Sequence, residues 1–340
     1  MKKKSDQTEA CTLDDVAQAA GVSRMTVSRV LNGQKGASAK TRQHILDVVK
    51  RLNYRPNTAA RNLRSRKSSV IGVIVPDISN PFFPEIFRGA ESVAQSEGYT
   101  LMLSNVVESA DREAEVLEKL LNQQVEGLIW CSARMEDRPL FKALKSAGNV
   151  VLINRNCPPE LASSVVVDYA MGAKMAVRHL LDIGAGRIGI VAGPEWAFGA
   201  KERLKGVQAA LRMHELEAAA IMPCDPTIEG GQQAAATLFV QNKGLDALIC
   251  YNDLTAIGAL HICRNLDLDV PGDVTLLGFD DIPLASLVSP PITSLGVEKY
   301  ELGRAAMTLL LRRIRGETQM NEITLQPQLL VRESTLSSAK

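Results

Sequence analysis

The spacing of apolar residues divides the chain into two parts. Up to about residue 52, apolar side chains recur every three or four positions, which predicts short amphipathic helices. From Val70 onward, ten short apolar runs alternate with helical patterns. Strands separated by helices favour parallel sheets covered on both faces, and ten strands in two successive groups favour two similar lobes over one sheet. The pattern therefore predicts a helical head followed by a two-lobed α/β body.

The head reads as three helices. Thr12 can cap the first helix, with Asp15 completing a carboxylate variant of the capping box, and Gly21 interrupts the apolar pattern. Ser23 can cap a second helix, and Ser38 can cap a third whose apolar stripe would brace the other two. A tight turn between the first two helices is typical of a helix-turn-helix, although an ordinary helical hairpin with a basic face has the same pattern.

The second helix has one inward and one outward face. At about 100° per residue, the inward side chains are Thr26, Val27, Val30 and Leu31. The outward side chains are Arg24, Met25, Ser28 and Arg29. Arg can bridge O6 and N7 of guanine, Ser can reach a phosphate, and Met can lie against a thymine methyl group. The outward face therefore predicts contact with a DNA major groove.

The net charge of +1 conceals a strong asymmetry. Residues 1–68 contain seven Lys and eight Arg against five acidic residues, a charge of +10, so the remainder carries −9. A basic head on an acidic body indicates that the head meets a polyanion and the body does not.

Several classes of protein lack their usual signals here. The N-terminus has no apolar core of a signal peptide, and no apolar run reaches the length of a membrane span. The six cysteines form no C-x-x-C pair, and the four histidines show no metal spacing. We find no phosphate loop, dinucleotide-binding glycine motif or nucleophile elbow. We therefore expect a cytoplasmic protein with no cofactor, no metal, no membrane partner and no enzymatic activity.

Polar and aromatic side chains follow many of the predicted strands of the body. In open α/β sheets, ligands bind at the carboxyl ends of strands, where apolar walls combine with a few polar groups. The residues at these ends include Asn80, Phe82, Phe83, Asn154, Arg155, Asp168, Trp196, Phe198, Arg203, Asn252, Asp253, Asp280 and Asp281. Asn or Asp at any one strand end is more often a helix cap or turn former. Their recurrence after successive strands predicts a ligand cleft.

Three stretches in order, TLDDVAQAAGVSRMTVSRVLNG, YRPNTAARNLRS and IGVIVPDISNPFFPEIFRGAE, resemble the lactose/galactose repressor family. The resemblance runs from Thr12 to about Ser334. It implies a homodimer, or a tetramer built of dimers, on a pseudo-palindromic stretch of double-stranded operator DNA. The C-terminal LLVRESTLSSAK lacks a leucine heptad, which favours the dimer.

The resemblance implies roles for the residues of the head. By position, Arg24, Met25 and Arg29 match the residues with which the family reads bases. Met25 is a less usual residue at its position, so the operator sequence of the family cannot be assigned to this protein. The residues expected to contact or support DNA binding are Thr12, Ser23, Arg24, Met25, Thr26, Ser28, Arg29, Asn32, Tyr54, Asn57, Ala60 and Leu63.

The basic run YRPNTAARNLRSRKSS, residues 54–69, contains a single leucine. Asn57 can cap a short helix, Thr58 to about Arg64, which is too short to be stable alone. Two such helices from a dimer can bury Ala60 against its mate and push both Leu63 side chains into the minor groove, which bends the duplex. We expect a hinge helix that forms or melts with ligand state; a flexible basic linker is the alternative.

The body resembles ribose-type periplasmic sugar-binding proteins, which hold a ligand between two lobes. With the strand-end candidates Asn154 and Trp196 added, the expected effector-binding residues are Asn80, Phe82, Phe83, Asn154, Arg155, Trp196, Arg203, Asn252 and Asp280. Asn154 stands where ribose-type sites usually have Asp, and Val297 where a Gln is usual, which weakens the case for ribose. Because Arg155 and Arg203 suit anionic oxygens, the effector is a sugar, a sugar acid or a sugar phosphate.

The expected domain plan places a tail at 1–11, the helix-turn-helix at 12–56, the hinge at 57–68, the effector-binding and dimerisation domain at 69–334 and a tail at 335–340. The first lobe takes about 69–168 plus 297–325, and the second takes about 169–296 plus 326–334. The expected function is a DNA-binding regulator, a repressor of carbohydrate-utilisation genes, whose effector acts as inducer or co-repressor through the hinge. A secreted sugar-binding protein and a ligand-independent architectural DNA-binder are the rival functions.

Overall fold

The computed structural model describes residues 11–31, 33–54, 68–317 and 322–336. The chain forms two compact units, Met1–Ser68 and Ser69–Lys340. The predicted hinge helix, with Asn57, Ala60 and Leu63, lies outside the described residues, and so does Asn32.

The described part of the head contains three helices, α1 (Leu13–Ala20), α2 (Arg24–Leu31) and α3 (Ala39–Arg51). The predicted capping box of α1 is confirmed: the Asp15 amide donates to Thr12 Oγ1 at 3.3 Å, and the Thr12 amide donates to Asp15 Oδ2 at 2.7 Å. Ser23 Oγ accepts from the amide of Thr26, and Ser38 Oγ accepts from the amide of Thr41, so the other two caps are confirmed as well.

The head has its own small core. Val16, Val27 and Ile45 are fully buried, one from each helix, and Val30 and Val48 pack around them. Each buried branched side chain stabilises the fold by roughly 1.5–3 kcal/mol. The inward face predicted for α2 is therefore the face that holds the three helices together.

The body contains twelve strands among the described residues. In chain order they are β1 (Val70–Val75), β2 (Thr100–Asn105), β3 (Gly127–Cys131), β4 (Val150–Ile153), β5 (Ser163–Val167), β6 (Ile188–Ala192), β7 (Ala220–Pro223), β8 (Ala247–Cys250), β9 (Thr275–Asp280), β10 (Thr293–Gly296), β11 (Glu322–Leu325) and β12 (Gln328–Leu330). They form two six-stranded sheets, ordered β11-β5-β4-β3-β1-β2 and β12-β10-β9-β8-β6-β7. Every pairing is parallel except that of β10 with β12.

Helices separate most of these strands. In chain order they are α4 (Phe82–Ser96), α5 (Ala110–Asn122), α6 (Asp137–Ala147), α7 (Tyr169–Asp182), α8 (Phe198–Arg212), α9 (Ile228–Gln241), α10 (Asp253–Asn265), α11 (Pro283–Leu287) and α12 (Lys299–Ile314). We call the sheet of β1–β5 and β11, with α4, α5, α6 and α12, the first lobe. The other sheet, with α7 to α11, is the second lobe. In the described residues the chain crosses between lobes after β5, after β10 and after β11.

The predicted fold class is confirmed for the head and the two-lobed body. All ten predicted strands are present, and β11 and β12 are additional. The sequence did not reveal these two because they are short and largely exposed, so neither presents the continuous apolar run of the central strands.

Candidate effector cleft and DNA-binding face

The outward face of α2 is exposed as the helical spacing predicts. Arg24, Met25 and Arg29 are exposed, and Met25 has 64% of its surface accessible. Arg24 Nη1 lies 3.2 Å from Asp14 Oδ2, but both side chains are mostly exposed. A surface pair of this kind contributes about 0–1 kcal/mol. Asp14 therefore holds the guanidinium only weakly.

Four other predicted DNA-binding residues help to build the head. Thr12 and Ser23 cap helices, and the hydroxyls of Ser23 and Thr26 lie 2.9 Å apart. Tyr54 is half-buried against the head core, and its amide donates to Val49 O at 3.0 Å. Burial raises the pKa of Tyr54, and nearby Cys11 adds to the increase. The predicted DNA contacts of all these residues remain predictions.

In the body, Arg203 and Asp280 form a buried ion pair. Arg203 Nη2 lies 2.6 Å from Asp280 Oδ1, and the two side chains are 9% and 8% exposed. Arg203 Nη1 donates to Tyr251 O at 2.6 Å, and Nη2 donates to Tyr169 Oη at 3.0 Å. The rings of Tyr169, Tyr251 and Phe279 surround the guanidinium at 4.5, 5.0 and 5.1 Å. Arg203 therefore anchors the site from within the second lobe.

The pKa of Arg203 and the backbone conformation of Asp280 are both unusual. Burial alone would lower the pKa of Arg203, but Asp280 and the two tyrosines raise it overall, so the guanidinium stays charged. Asp280 has a φ of 96°, which a residue with a Cβ rarely adopts. Asn154, at the end of β4 in the first lobe, has a φ of 54°. Such conformations persist where the surrounding structure holds them, and they cluster at binding sites.

Arg155 joins the lobes through an aromatic ring. Its side chain is buried in the first lobe, and Nη2 donates to Met135 O at 3.1 Å and to Asp137 Oδ1 at 2.8 Å. Its guanidinium carbon lies 4.3 Å from the centre of the Phe198 ring, which belongs to α8 of the second lobe. Burial lowers the pKa of Arg155, and Asp137 opposes that change. A stacked arginine of this kind holds the two lobes against each other.

A second arginine makes the same kind of contact but was not predicted. Arg134, after β3, donates from Nε and Nη2 to the two carboxylate oxygens of Glu108 at 2.6 and 2.9 Å. Its guanidinium carbon lies 5.7 Å from the Trp196 ring of the second lobe. Arg134 lies at a strand end, the same signal that found Arg155, in the stretch GLIWCSARM.

The loop that contains Arg134 is held by hydrogen bonds to a buried carboxylate. Glu113 of α5 accepts from Trp130 Nε1 at 3.0 Å, from the Arg134 amide at 2.8 Å and from the Met135 amide at 2.8 Å. Burial raises the pKa of Glu113, although these hydrogen bonds oppose the increase. Since Met135 O also accepts from Arg155, Glu113 supports both arginines that face the second lobe.

Five predicted effector residues are used mainly in local structure. Asn252 caps α10, where its Oδ1 accepts from the Thr255 amide at 2.9 Å. Asn154 Oδ1 accepts from the Val167 amide at 3.2 Å, and Asn80 Oδ1 accepts from the Phe82 amide at 3.0 Å. Phe82 packs edge-on against Phe83, which is also buried, with ring centres 5.3 Å apart. Among the described residues, neither Asn80 nor these two rings forms a hydrogen bond or a ring contact with Arg203 or Asp280.

A cavity of about 360 Å³ lies between the lobes, beside Asn154 and Phe198. Its lining residues are Asn154, Asn156, Val166, Val167, Asp168, Tyr169, Ala170, Phe198, Gly199, Glu202, Lys205, Gly206, Ala209, Glu322 and Thr324. Its volume is in the range of small-molecule sites. Tyr169 and Phe198 join it to the two arginine clusters, because they also contact Arg203 and Arg155. The sequence did not predict three of the charged lining residues, Glu202, Lys205 and Glu322. They lie inside a helix or on β11 rather than directly after a predicted strand.

Among the residues that the structure describes, the His, Cys, Asp and Glu side chains form no group that can hold a metal ion. None of the helices in this part of the chain combines the length and apolarity needed to cross a membrane.

A helix-turn-helix head on a two-lobed body with an interlobe cavity defines a ligand-responsive DNA-binding regulator. Residues 12–57 match "Bacterial regulatory proteins, lacI family", and residues 68–333 match "Periplasmic binding proteins and sugar binding domain of LacI family". The chain belongs to the LacI family of transcriptional regulators. Its partners are therefore operator DNA and a sugar-type effector, and the predicted family and regulatory function are confirmed.

Individual relatives cover nearly the whole chain. It is 35% identical over 328 residues to catabolite control protein A of Priestia megaterium, covering 95% of this chain and 99% of that protein. It is 35% identical over 300 residues to the ribose operon repressor of Bacillus subtilis, covering 88% and 90%. Among solved structures, a lac repressor dimer bound to operator and the anti-inducer ONPF has a TM-score of 0.89 at 27% identity, covering 97% of this chain and 100% of that one.

Proposed function

We propose that this protein is a homodimeric repressor of carbohydrate-utilisation genes whose operator affinity is set by an effector bound between its lobes. The observation that carries the proposal is the Arg203–Asp280 pair. These residues are 77 positions apart in sequence, yet their side chains meet at 2.6 Å next to a cavity lined by both lobes. The pair is more than a local cap, because it joins α8 to the end of β9.

The proposal places the protein in the cytoplasm, where operator DNA is, and assigns it no catalytic role. Each of the three cleft arginines, Arg134, Arg155 and Arg203, is engaged in an ion pair with a protein carboxylate, which supports binding rather than chemistry. The expected domain boundaries are part of this proposal: the helix-turn-helix at 12–56, the hinge at 57–68 and the effector-binding body at 69–334.

The lobe-to-lobe contacts supply the coupling. The Arg134–Trp196 and Arg155–Phe198 pairs are made only when the lobes are close, and a bound effector strengthens or weakens this closed state. The change in lobe position reaches the sequence-predicted hinge, whose helices then form or melt. A coupling free energy of about 1–3 kcal/mol changes operator affinity about 5- to 150-fold.

Effector binding is expected to change operator affinity and tryptophan fluorescence together. Trp196 is 48% exposed and contacts the opposite lobe, whereas Trp130 is fully buried. A gel shift on the upstream region of the regulator's own operon, titrated with sugars, sugar acids and sugar phosphates, measures the first change. Fluorescence of a Trp130→Phe variant, which isolates Trp196, measures the second. If every compound left both signals unchanged, the effector proposal would be wrong.

Exposed apolar residues mark the face that we propose for dimerisation. β2 and β7 are edge strands of the two sheets. Met102 and Leu103 on β2 and Ile221 on β7 are exposed, and so are Leu284 and Leu287 of α11. Exposed apolar edge strands favour association with another chain. A second copy of this chain would cover them.

Leu103→Glu is expected to weaken the dimer by at least about 100-fold, because a buried, unpaired carboxylate costs several kcal/mol. Sedimentation velocity at several concentrations measures the change. Met213→Glu is the matched control, because Met213 is 68% exposed and, as the C-cap of α8, belongs to neither edge strand. A Leu103→Glu protein that sediments like the control would place the dimer face elsewhere.

A further inference from the structure

The turn that follows β9 has an unfavourable backbone conformation. Asp280 has a φ of 96° and Asp281 a φ of 49°, so two consecutive residues other than glycine lie in the left-handed region. Conformations of this kind persist where the surrounding groups hold the backbone in place. Asp280 also supplies the carboxylate that pairs with Arg203. The contacts that hold this turn therefore determine where that carboxylate lies.

Groups of the second lobe hold the amides and one side chain of the turn. Asp253 is fully buried, and its Oδ2 accepts from the Ile282 amide at 2.8 Å. Its Oδ1 accepts from the Ser294 hydroxyl at 2.6 Å, and the Ser294 oxygen accepts in turn from the Asp281 amide at 3.0 Å. Arg332, which follows β12, pairs through Nη2 with Asp281 Oδ1 at 2.5 Å. These contacts fix the shape of the turn within its own lobe.

The carbonyl oxygens of the same turn are held by the other lobe. Lys299 Nζ donates to Asp280 O and to Asp281 O, each at 2.7 Å. Lys299 is the first residue of α12, a helix of the first lobe, and it is half-buried. Cations are disfavoured at a helix N-terminus, and the two carbonyl oxygens offset this unfavourable position. One ammonium therefore connects α12 of the first lobe to the turn of the second.

Lys299 also lies at a crossing between the lobes. Val297 and Glu298 alone separate it from the end of β10. The chain passes there from the second lobe to the first, so a rotation of one lobe against the other bends the backbone at this point. Because the ammonium reaches back to the end of β9, it restrains that bend.

Close packing of two helices spreads this restraint through the first lobe. Gly303 of α12 lies against Ile86 O of α4, and Gly89 of α4 lies against Tyr300 O of α12, so closely that a Cβ at either glycine would clash with the carbonyl. Tightly packed elements of this kind transmit displacement. The same lobe contains β1, which begins at Val70 just after the expected hinge. A shift at the beginning of α12 is therefore a shift of the lobe that follows the hinge.

We infer that Lys299 is a positioning residue that couples the turn of Asp280 and Asp281 to the first lobe, and through that lobe to the hinge. The inference rests on the proposed function. Contacts within the second lobe shape the turn, so the effector still binds when the ammonium is absent. The ammonium supplies the link by which a movement of the turn displaces α12.

The link can be tested without any ligand. Trp130 is fully buried and Trp196 is 48% exposed beside Arg134 of the other lobe, so acrylamide quenching of the full-length protein reports Trp196. Lys299→Met removes the ammonium but keeps an unbranched apolar chain. It is expected to raise the quenching constant about 1.5- to 2-fold, because the lobes separate more readily. Lys299→Arg keeps donors for both carbonyl oxygens and is expected to be quenched like the parent.

Two controls distinguish a link between lobes from a general loss of stability. Arg332→Met removes a cation that holds the same turn from within the second lobe. It is expected to lower the melting temperature at least as much as Lys299→Met does, but to leave the quenching of Trp196 unchanged. Lys142→Met removes an exposed ammonium on α6 of the first lobe and is expected to change neither signal. Equal quenching in the Lys299→Met and Lys142→Met proteins would overturn the inference.

The operator response shows whether the link carries the effector signal. Gel shifts with the full-length dimer on the upstream region of its own operon are run with glucose, galactose and ribose and with their acids and phosphates. For a compound that changes the operator affinity of the parent about 5- to 150-fold, the change in Lys299→Met is expected to stay below about 2-fold. The affinity for the compound itself, followed by thermal shift, is expected to stay within about 3-fold of the parent value. Lys299→Arg and Arg332→Met are expected to keep the operator response.

The outcomes separate the inference from the function on which it rests. A Lys299→Met protein that binds the compound and responds like the parent overturns the inference and leaves the effector proposal standing. A Lys299→Met protein that no longer binds the compound also overturns it, because Lys299 then serves binding rather than coupling. A parent protein whose operator affinity none of the compounds changes contradicts the effector proposal and the inference with it.

Discussion

Asp280→Ala is expected to abolish the effector response and to destabilise the body by about 3–5 kcal/mol. The substitution leaves the Arg203 guanidinium buried without its carboxylate, and breaking one side of a buried ion pair costs about that much. Tyr169 and Tyr251 still contact Arg203, but neither compensates its charge. Urea unfolding measures the free energy of unfolding, and a gel-shift titration with the effector measures the response.

Removal of both charges separates stability from ligand binding. The double variant Arg203→Met, Asp280→Ala is expected to regain much of the lost stability, since no unpaired charge remains, but to stay unresponsive to the effector. Glu195→Ala, an exposed carboxylate of the same lobe, is the control for the single substitution. An Asp280→Ala protein with a normal effector response would refute the site, and one as stable as the parent would refute the energetic role of the pair.

Leu63→Ala is expected to lower specific operator affinity about 1,000-fold, towards the level of non-specific binding. The reason is the hypothesis drawn from the sequence: a leucine from each hinge helix wedges a base step open, and the bent duplex then contacts more of the protein. Non-specific binding should keep its dependence on salt, because the surrounding arginines and lysine that face phosphate are unchanged.

Gel shifts with operator and with unrelated DNA, each at two salt concentrations, check this expectation. Leu336→Ala removes an exposed leucine near the C-terminus and is expected to bind operator normally. Unchanged operator affinity in Leu63→Ala would show that the hinge is a plain basic linker. This position lies outside the described residues, so the hinge helix stays a prediction from sequence.

Local patterns predicted the elements of this protein well. Helix caps such as Thr12 and Ser38, and the apolar strands of both sheets, depend on residues within a few positions of each other. The faces of α2 followed from helical geometry alone. The strands β11 and β12 were missed because each takes its stability from one neighbour strand rather than from an apolar run of its own.

The effector residues of the candidate site stay predictions. Strand-end reasoning selected Asn154, Arg155, Arg203 and Asp280, because the carboxyl ends of parallel strands lie along one edge of a sheet. The structure places Arg203 against Asp280 and Arg155 against Phe198 of the other lobe. The same reasoning also selected Asn80, Phe82 and Phe83, which pack locally. Arg134 was not among the predicted residues, although it follows β3.

The sequence by itself determined the family, the head, the two-lobed body and the region of the cleft, because these depend on local periodicity and on motifs in a fixed order. Only the tertiary structure decided what the charges of the cleft do. Arg203 meets Asp280 across 77 positions of sequence, and Arg134 meets Glu108 across 26. An arginine read from sequence is a free cation, whereas folding can pair and bury it, and its partner lies too far away in sequence for local patterns to reveal.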